Sequence, residues 1–87
     1  MNSVVVRDIE SLARYMETLK VKKDELESIY LSLNVETLNQ ESNWSDPQYE
    51  ILKEQISSYC MNCKSQLEEL DNVINYINSL LSKIRDL

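Results

Sequence analysis

An aspartate and a proline separate two long runs of heptad-like sequence near the middle of this 87-residue chain. Pro47 is the only proline, and the chain has no glycine. Because these two residue types are the strongest helix breakers, little else in the sequence would stop a helix once it has begun. Asp46 can accept hydrogen bonds from the free amides of a first turn, and proline suits the first helical position. The sequence therefore predicts an all-α fold with two helices divided at this point.

The first run places residues at alternating spacings of four and three, which is the pattern of a helix that packs along one seam. It consists of Val5, Ile9, Leu12, Met16, Leu19, Lys23, Leu26, Tyr30 and Leu33. Lys23 is the one polar interruption, and Tyr15 and Ile29 lie beside the seam and widen it. These signals predict helix 1 over about residues 4–40 and a turn over about residues 41–46.

The second run continues the same spacing to the end of the chain and predicts helix 2 over about residues 47–86. Its seam consists of Tyr49, Leu52, Ile56, Tyr59, Cys63, Leu67, Leu70, Ile74, Ile77, Leu81 and Ile84. Val73, Leu80 and Leu87 add a second apolar line beside it. A single neighbouring helix covers one narrow seam, so a face this wide usually lies between two neighbours in a bundle.

The expected architecture is a single domain over residues 1–87, an antiparallel two-helix hairpin that pairs into a four-helix bundle dimer. The partner is either a second copy of the chain or a sister hairpin, and the sequence leaves both open. The predicted interface is the broad apolar face of helix 2. It comprises Leu67, Leu70, Val73, Ile74, Ile77, Leu80, Leu81 and Ile84.

Several residue types that catalysis commonly uses are missing. The chain has no histidine, and without glycine it has neither a phosphate-binding loop nor a dinucleotide fingerprint. Paired acids such as Glu68 and Glu69 occupy adjacent helix positions and do not converge on one point. We therefore predict a non-enzymatic protein with no catalytic residue, no cofactor and no metal site.

The charge balance and the N-terminal sequence limit the partners and the location. A net charge of −6 argues against nucleic acid or anionic lipid as the main partner, since both require a cationic surface. The first ten residues lack the apolar centre of a signal peptide, and no stretch is long and apolar enough to span a bilayer. We expect synthesis in the cytoplasm, no membrane insertion, and any export to be independent of a cleavable signal.

Cys60 and Cys63 form a C-x-x-C pair in the middle of helix 2. Redox-active pairs of this kind usually open a helix after a strand, and no strand pattern lies nearby. Zinc requires four ligands, which two copies could supply only as a shared four-cysteine site. We interpret Cys63 as a small hydrophobic residue of the seam with Cys60 beside it. A metal- or redox-linked dimer through this pair is the alternative.

The central residues Trp44, Ser45 and Asp46, flanked by two helices in a chain of just under one hundred residues, resemble the WXG (Trp-Xaa-Gly) superfamily of type VII secretion proteins. Trp44 and Ser45 match the first two places of the motif, and Asp46 stands where the family usually has glycine. Tyr49 and Leu52 lie where the family's second helix carries its first inward residues. The turn motif that we single out is accordingly Trp44, Ser45, Asp46 and Pro47, with Trp44 either a plug over the hairpin's end or a partner-binding hot spot.

This resemblance implies a bacterial helical hairpin that pairs with itself or a sister hairpin and is either exported without a signal peptide or helps present a larger toxin-like substrate to the secretion machinery. The family's export signal is a tyrosine followed four residues later by an acid. Tyr76 is followed at that distance by Leu80, so a companion or targeting-chaperone role fits better than a free effector. A structural coiled-coil adaptor, in which both runs form one long rod, is a further alternative.

Overall fold

A computed structural model describes residues 3–86 of the chain. Within this range the protein is an all-α hairpin made of helix α1 (Ile9–Asn39), a short 3₁₀ turn (Gln40–Ser42) and helix α2 (Pro47–Arg85). This confirms the predicted fold class of a two-helix hairpin. The four-helix assembly stays a prediction, and the predicted apolar position Leu87 lies outside the described residues.

Helix α1 begins later than the sequence predicted. We expected it to start at about residue 4, but the helix begins at Ile9 because Asp8 is its N-cap. The Asp8 backbone is extended, and its carboxylate accepts a hydrogen bond from the Ser11 amide at 2.9 Å. Val4 and Val5 are exposed ahead of this cap, so the predicted seam position at Val5 is not buried in the hairpin.

The turn closes through backbone and side-chain hydrogen bonds. After the 3₁₀ turn, the Trp44 amide donates to the Gln40 carbonyl at 2.8 Å. Asp46 has extended backbone and caps α2, since its carboxylate accepts from the Gln48 amide at 2.8 Å. Pro47 occupies the first turn, where its missing N–H costs no hydrogen bond. The chain therefore reverses direction at these residues without a glycine and without any positive φ among the described residues.

The seam of α2 differs from the predicted one in the half nearest the turn. We predicted Leu52 and Tyr59 as seam residues, but both are exposed, at 37% and 57%. Lys53 and Cys60 face α1 in their place, and Cys60 is buried. The spacing of four and three is kept but begins with a step of four from Tyr49, which places the next seam residue at 53. Lys53 is held at this position by the Glu41 and Glu50 carboxylates and by the face of the Tyr49 ring.

The apolar core lies at the open end of the hairpin, away from the turn. Met16 of α1 packs with three residues of α2, Ile74, Ile77 and Leu81, and Leu81 is only 2% exposed. Partly buried neighbours surround this group: Ile9, Leu12, Ala13, Leu19 and Leu70. Most of the hydrophobic stabilisation between α1 and α2 therefore comes from the half of the molecule that holds both chain ends.

The hairpin is a thin, elongated body of 62 × 26 × 16 Å with a radius of gyration of 19.2 Å. A compact domain of this length has a radius of gyration of roughly 12 Å. Over residues 3–86, neither helix combines the length and the apolar character that crossing a membrane requires. This elongated shape leaves most of each helix surface exposed, so the candidate binding sites lie on the exposed surface.

Truncating the core at the open end tests this packing. Leu81→Ala should lower the free energy of unfolding by about 2–5 kcal/mol, since it removes a buried side chain and leaves a cavity. Met61→Ala is the matched control, because Met61 on the same helix is 70% exposed. Urea unfolding, followed by helical circular dichroism at one fixed protein concentration, measures both. Equal losses in the two variants would contradict the assignment of the core.

Candidate functional site

The end of the hairpin next to the turn is held by Tyr49. This side chain is 1% exposed, and its hydroxyl donates a hydrogen bond to the Thr37 carbonyl of α1 at 2.9 Å. The Trp44 ring packs against the Tyr49 ring with centroids 5.4 Å apart and planes tilted by 55°. Trp44 itself is 38% exposed. Tyr49 is thus the buried residue at this end, and Trp44 covers it while keeping part of its ring in solvent.

Lys53 completes this end by linking α2 to the 3₁₀ turn. Its ammonium lies 3.4 Å from the Glu41 carboxylate, 3.2 Å from the Glu50 carboxylate and 5.8 Å from the centre of the Tyr49 ring. The hydrogen bond with Glu50, followed by the attraction of Glu41, raises the pKa of Lys53 above its ordinary value despite partial desolvation. A charged residue can occupy this seam position because two carboxylates and an aromatic face surround it.

The two cysteines have different environments. Cys60 is buried, and its thiol donates a hydrogen bond to the Tyr30 carbonyl at 3.4 Å. Cys63 is half-buried, and a hydrogen bond with its thiol raises the pKa of the Tyr59 hydroxyl. Both thiols are free. Since Cys60 is enclosed between the helices, the pair does not present two thiols together on the surface, and residues 3–86 contain no cluster of three or more potential metal ligands.

One side of the seam is polar and ion-paired; we call it the polar flank. Its charged residues are Lys23, Glu27, Lys64, Glu68 and Asp71, and the seam residues Tyr30 and Leu67 line the same depression. The Lys23 ammonium lies 2.9 Å from the Asp71 carboxylate, and this hydrogen bond is the main cause of the raised pKa of Lys23. Arg85 and Glu10 make a further ion pair between the helices at 3.6 Å. Part of the charge on the polar flank, at Lys23 and Asp71, is therefore paired within the hairpin.

The other side of the seam is apolar and open; we call it the apolar flank. Its centre is a groove of about 430 Å³. The groove is lined by Leu26, Ile29, Tyr30, Leu33, Tyr59, Cys63, Gln66, Leu67 and Leu70. Towards the turn it continues into a second depression lined by Leu33, Glu36, Thr37, Gln40, Trp44, Tyr49 and Leu52. Three large side chains of the central groove, Leu26, Ile29 and Tyr59, are at least half exposed, so this flank is the candidate functional site.

A single line of α2 residues borders the apolar flank at intervals of seven. It consists of Leu52, Tyr59, Gln66, Val73 and Leu80. Residues two apart on a helix do not lie on the same face. Lys64 and Asp71 of the polar flank lie two residues before Gln66 and Val73, and so fall on the far side of the seam. The two flanks are therefore opposite sides of one hairpin, with opposite chemistry.

The structure divides the predicted interface of α2 into two sets. Leu67, Ile74, Ile77 and Leu81 are buried against α1 within the same hairpin, so their side chains are already used by the intramolecular seam. Leu70, Leu80 and Ile84 are half-buried, and Val73 is 48% exposed. Of the second set, Leu70 lines the groove of the apolar flank, Val73 and Leu80 continue its α2 border, and Ile84 follows the spacing of the seam.

The sequence prediction missed Leu26 as an exposed groove residue and placed Leu52 and Tyr59 in the seam. For Leu52 and Tyr59, the signal that could have shown their exposure was the line of α2 residues at intervals of seven through Leu52, Tyr59 and Val73. The prediction recognised this line only from Val73 onward. Of the turn motif, Asp46 and Pro47 build the helix start, Trp44 covers Tyr49, and Ser45 is exposed. Chemically, the arrangement offers a non-polar contact surface with a few polar side chains at its rim.

No protein-family model matches the chain, and comparisons with curated proteins and with solved structures found no match either.

The Tyr49 contact makes a testable prediction about the turn. Tyr49→Phe should cost about 1 kcal/mol of unfolding free energy, the usual worth of one hydrogen bond, whereas Tyr49→Ala should cost about 3–5 kcal/mol because it also empties a buried site. Tyr76→Phe is the control, since Tyr76 is 59% exposed. Trp44 fluorescence during urea unfolding reports on this end directly. If Tyr49→Ala unfolds like the control, Tyr49 does not hold the turn.

Proposed function

We propose that this chain is a non-enzymatic interaction protein that uses its apolar flank to pair with a second helical hairpin, either another copy or a sister chain. The pairing would complete a four-helix bundle around the groove between Leu26, Ile29 and Tyr59. The amphipathic design supports this function. The ion pairs of the polar flank suit contact with water, whereas large apolar side chains on the other flank suit burial.

The observation that carries the proposal is the amount of surface left exposed. The hairpin exposes 6929 Å², whereas a compact monomer of its 10.2 kDa mass exposes about 5,300 Å². The excess of about 1,600 Å² exceeds the roughly 800 Å² that each partner buries in a stable protein–protein interface. Pairing along the apolar flank would therefore reduce the exposed surface area of the chain towards that of a compact folded protein.

We propose a role in type VII secretion on the basis of the WXG-like turn. Trp44 and Ser45 lie between two antiparallel helices, and Asp46 supplies a helix cap at the place where the family usually has glycine. A companion or targeting chaperone for a larger toxin-like protein, made in the cytoplasm and exported with its partner or retained, agrees with the absence of an acid four residues after Tyr76. The half-exposed Trp44 is then available to that partner.

Two doubly substituted variants test the proposed surface. Leu52→Glu with Tyr59→Glu places two charges on the apolar flank, and Ser57→Glu with Asn78→Glu places two on exposed positions of the polar flank. Both variants carry the same net charge. Burial of the apolar pair in an interface predicts that the first variant weakens association about 100-fold or more, while the second leaves it within a few fold. Sedimentation equilibrium measures association, and circular dichroism verifies the helix content of each variant.

If the purified chain is monomeric, the same two variants are used as baits in the native cell. Recovery of one defined small helical protein by the polar-flank variant, and its loss from the apolar-flank variant, supports a sister hairpin as the partner. Equal association by both variants, alone and in the cell, would contradict the proposed function.

A further inference from the structure

We infer that the partner on the apolar flank is a second copy of this chain, and that the two hairpins pack face to face around a twofold axis at the level of Ile29 and Gln66, with their turns at opposite ends. This inference rests on the proposed function and deepens it, because it names the partner and the register. It depends on the order of side chains along the α2 line and along an α1 line of Lys22, Ile29 and Glu36, which are also seven residues apart.

The two lines share a midpoint. Ile29 of α1 and Gln66 of α2 line the same groove from opposite helices, so they lie at one level along the hairpin. Two ion pairs agree with this level: Lys23 of α1 meets Asp71 of α2 on one side of it, and Glu41 of the 3₁₀ turn meets Lys53 of α2 on the other. One axis that runs across the apolar flank at this level, between the two copies and perpendicular to their helices, can therefore act on both lines at once.

The α2 line is nearly palindromic about that midpoint. Tyr59 and Val73 lie seven residues on either side of Gln66, and Leu52 and Leu80 lie fourteen residues on either side. A twofold axis at Gln66 brings each α2 line against its own copy in the opposite direction. Leu52 then faces the partner's Leu80, Tyr59 faces the partner's Val73, and Gln66 faces the partner's Gln66. Every large apolar residue on the line meets another, and the polar amide meets an amide.

The α1 line adds charge complementarity. Lys22 and Glu36 lie seven residues on either side of Ile29, and Glu36 borders the apolar flank beside Leu33 and Leu52. The same axis brings Lys22 of each copy to Glu36 of the other, which makes two identical ion pairs with Ile29 against Ile29 between them. An isologous interface requires this kind of self-complementarity, in which residue i meets j and j meets i.

The outer rim of α2 fits the same register. The positions one turn outward carry Gln48, Gln55, Asn62, Glu69, Tyr76 and Lys83. Reversal about Gln66 places Asn62 near the partner's Glu69, and Gln48 near the partner's Lys83, so no two like charges meet. The other symmetric stacking, in which the turns share one end, sets Lys22 against Val73 and Glu36 against Tyr59, and both charges then face apolar side chains, which is costly.

The available area is sufficient for this occupant. Helix α2 has 39 residues, which corresponds to a length of about 58 Å. Contact along a strip of that length and one to two helix widths, each about 10 Å, covers roughly 600–1,200 Å² on each copy. A stable dimer requires roughly 800 Å² from each partner.

The charged pair allows a test that separates register from overall repulsion. Glu36→Lys changes the net charge from −6 to −4, so a dimer opposed only by net charge would become tighter. The inferred register predicts the reverse, a dimerisation constant about tenfold weaker, because two contacts between like positive charges replace two ion pairs. Lys22→Glu should weaken it similarly, and the combined variant Lys22→Glu with Glu36→Lys should restore it. Sedimentation equilibrium measures all four proteins.

The ion pair of Lys22 with Glu25 in the same hairpin does not change the interpretation of this test. In the hairpin Lys22 also pairs with Glu25 at 3.3 Å, and Lys22→Glu removes that contact in both the single and the combined variant. The combined variant has the original net charge of −6, more negative than the −4 of Glu36→Lys. Recovery relative to Glu36→Lys therefore cannot come from net charge and must come from the contact between positions 22 and 36.

Cysteine crosslinking locates the axis. With Cys60→Ala and Cys63→Ala as background, Gln66→Cys should form a disulfide-linked dimer with oxidised glutathione, because the two copies of residue 66 face each other. Asn78→Cys in the same background is the control, since Asn78 is exposed on the polar flank side of α2. Circular dichroism of the background variant verifies that the hairpin is folded before crosslinking.

The outcomes distinguish this inference from the proposed function. A dimer that is weakened by Glu36→Lys, restored in the combined variant and crosslinked at residue 66 supports it. A monomer at about 100 µM overturns it, since a stable interface of this size dimerises well below that concentration, and the proposed function then depends on a sister hairpin. A third outcome overturns the register alone. In that case Leu52→Glu with Tyr59→Glu dissociates the dimer, but Glu36→Lys tightens it and Gln66→Cys forms no crosslink.

Discussion

Two helices can meet along only one line, and this constraint determines most of what the hairpin is. Each helix buries one stripe against the other, so the described chain has few buried side chains and a long exposed outline of 62 Å. The sequence supplies more apolar surface than one seam can cover. Much of the remainder lies on one side of the seam, where Leu26, Ile29 and Tyr59 are exposed, while other exposed apolar side chains, such as Val21, Leu31 and Met61, lie elsewhere on the helices. The opposite side of the seam carries the ion pair of Lys23 with Asp71.

The seam uses different chemistry at its two ends. At the open end it is a hydrophobic cluster around Met16 and Leu81. Near the turn it depends on Tyr49, which combines apolar burial with a hydrogen bond to the Thr37 carbonyl. Lys53 then extends over the Tyr49 ring between two carboxylates. Polar contacts are more directional than apolar ones, so the turn end fixes the rotation of α2 about its axis and thereby decides which residues face outward.

The sequence was sufficient for the fold because its strongest signals are local. Absent glycine, one proline and a capping aspartate specify two long helices and their junction. The sequence was less informative about helix rotation. Leu52 and Lys53 are adjacent, and hydrophobicity favours Leu52 for the seam, but the tertiary contacts of Tyr49 place Lys53 there. The start of α1 was wrong for a related reason, since three valines suggested helix where Asp8 caps it. The apolar flank could be predicted only in its second half, because Leu26 and Tyr59 match a seam pattern equally well.

Net charge does not oppose pairing between two copies, even though each carries −6. The apolar flank holds few charges, and most of the acids lie on the polar flank or on outward positions of the helices. In a face-to-face pair these acids lie on the two outer surfaces, separated by two hairpin layers, each with a smallest dimension of 16 Å. The Debye length at physiological ionic strength is about 8 Å, so repulsion across the bundle is largely screened. Charges at the contact itself, Lys22 and Glu36, thus have more influence on the register than the net charge of the chain.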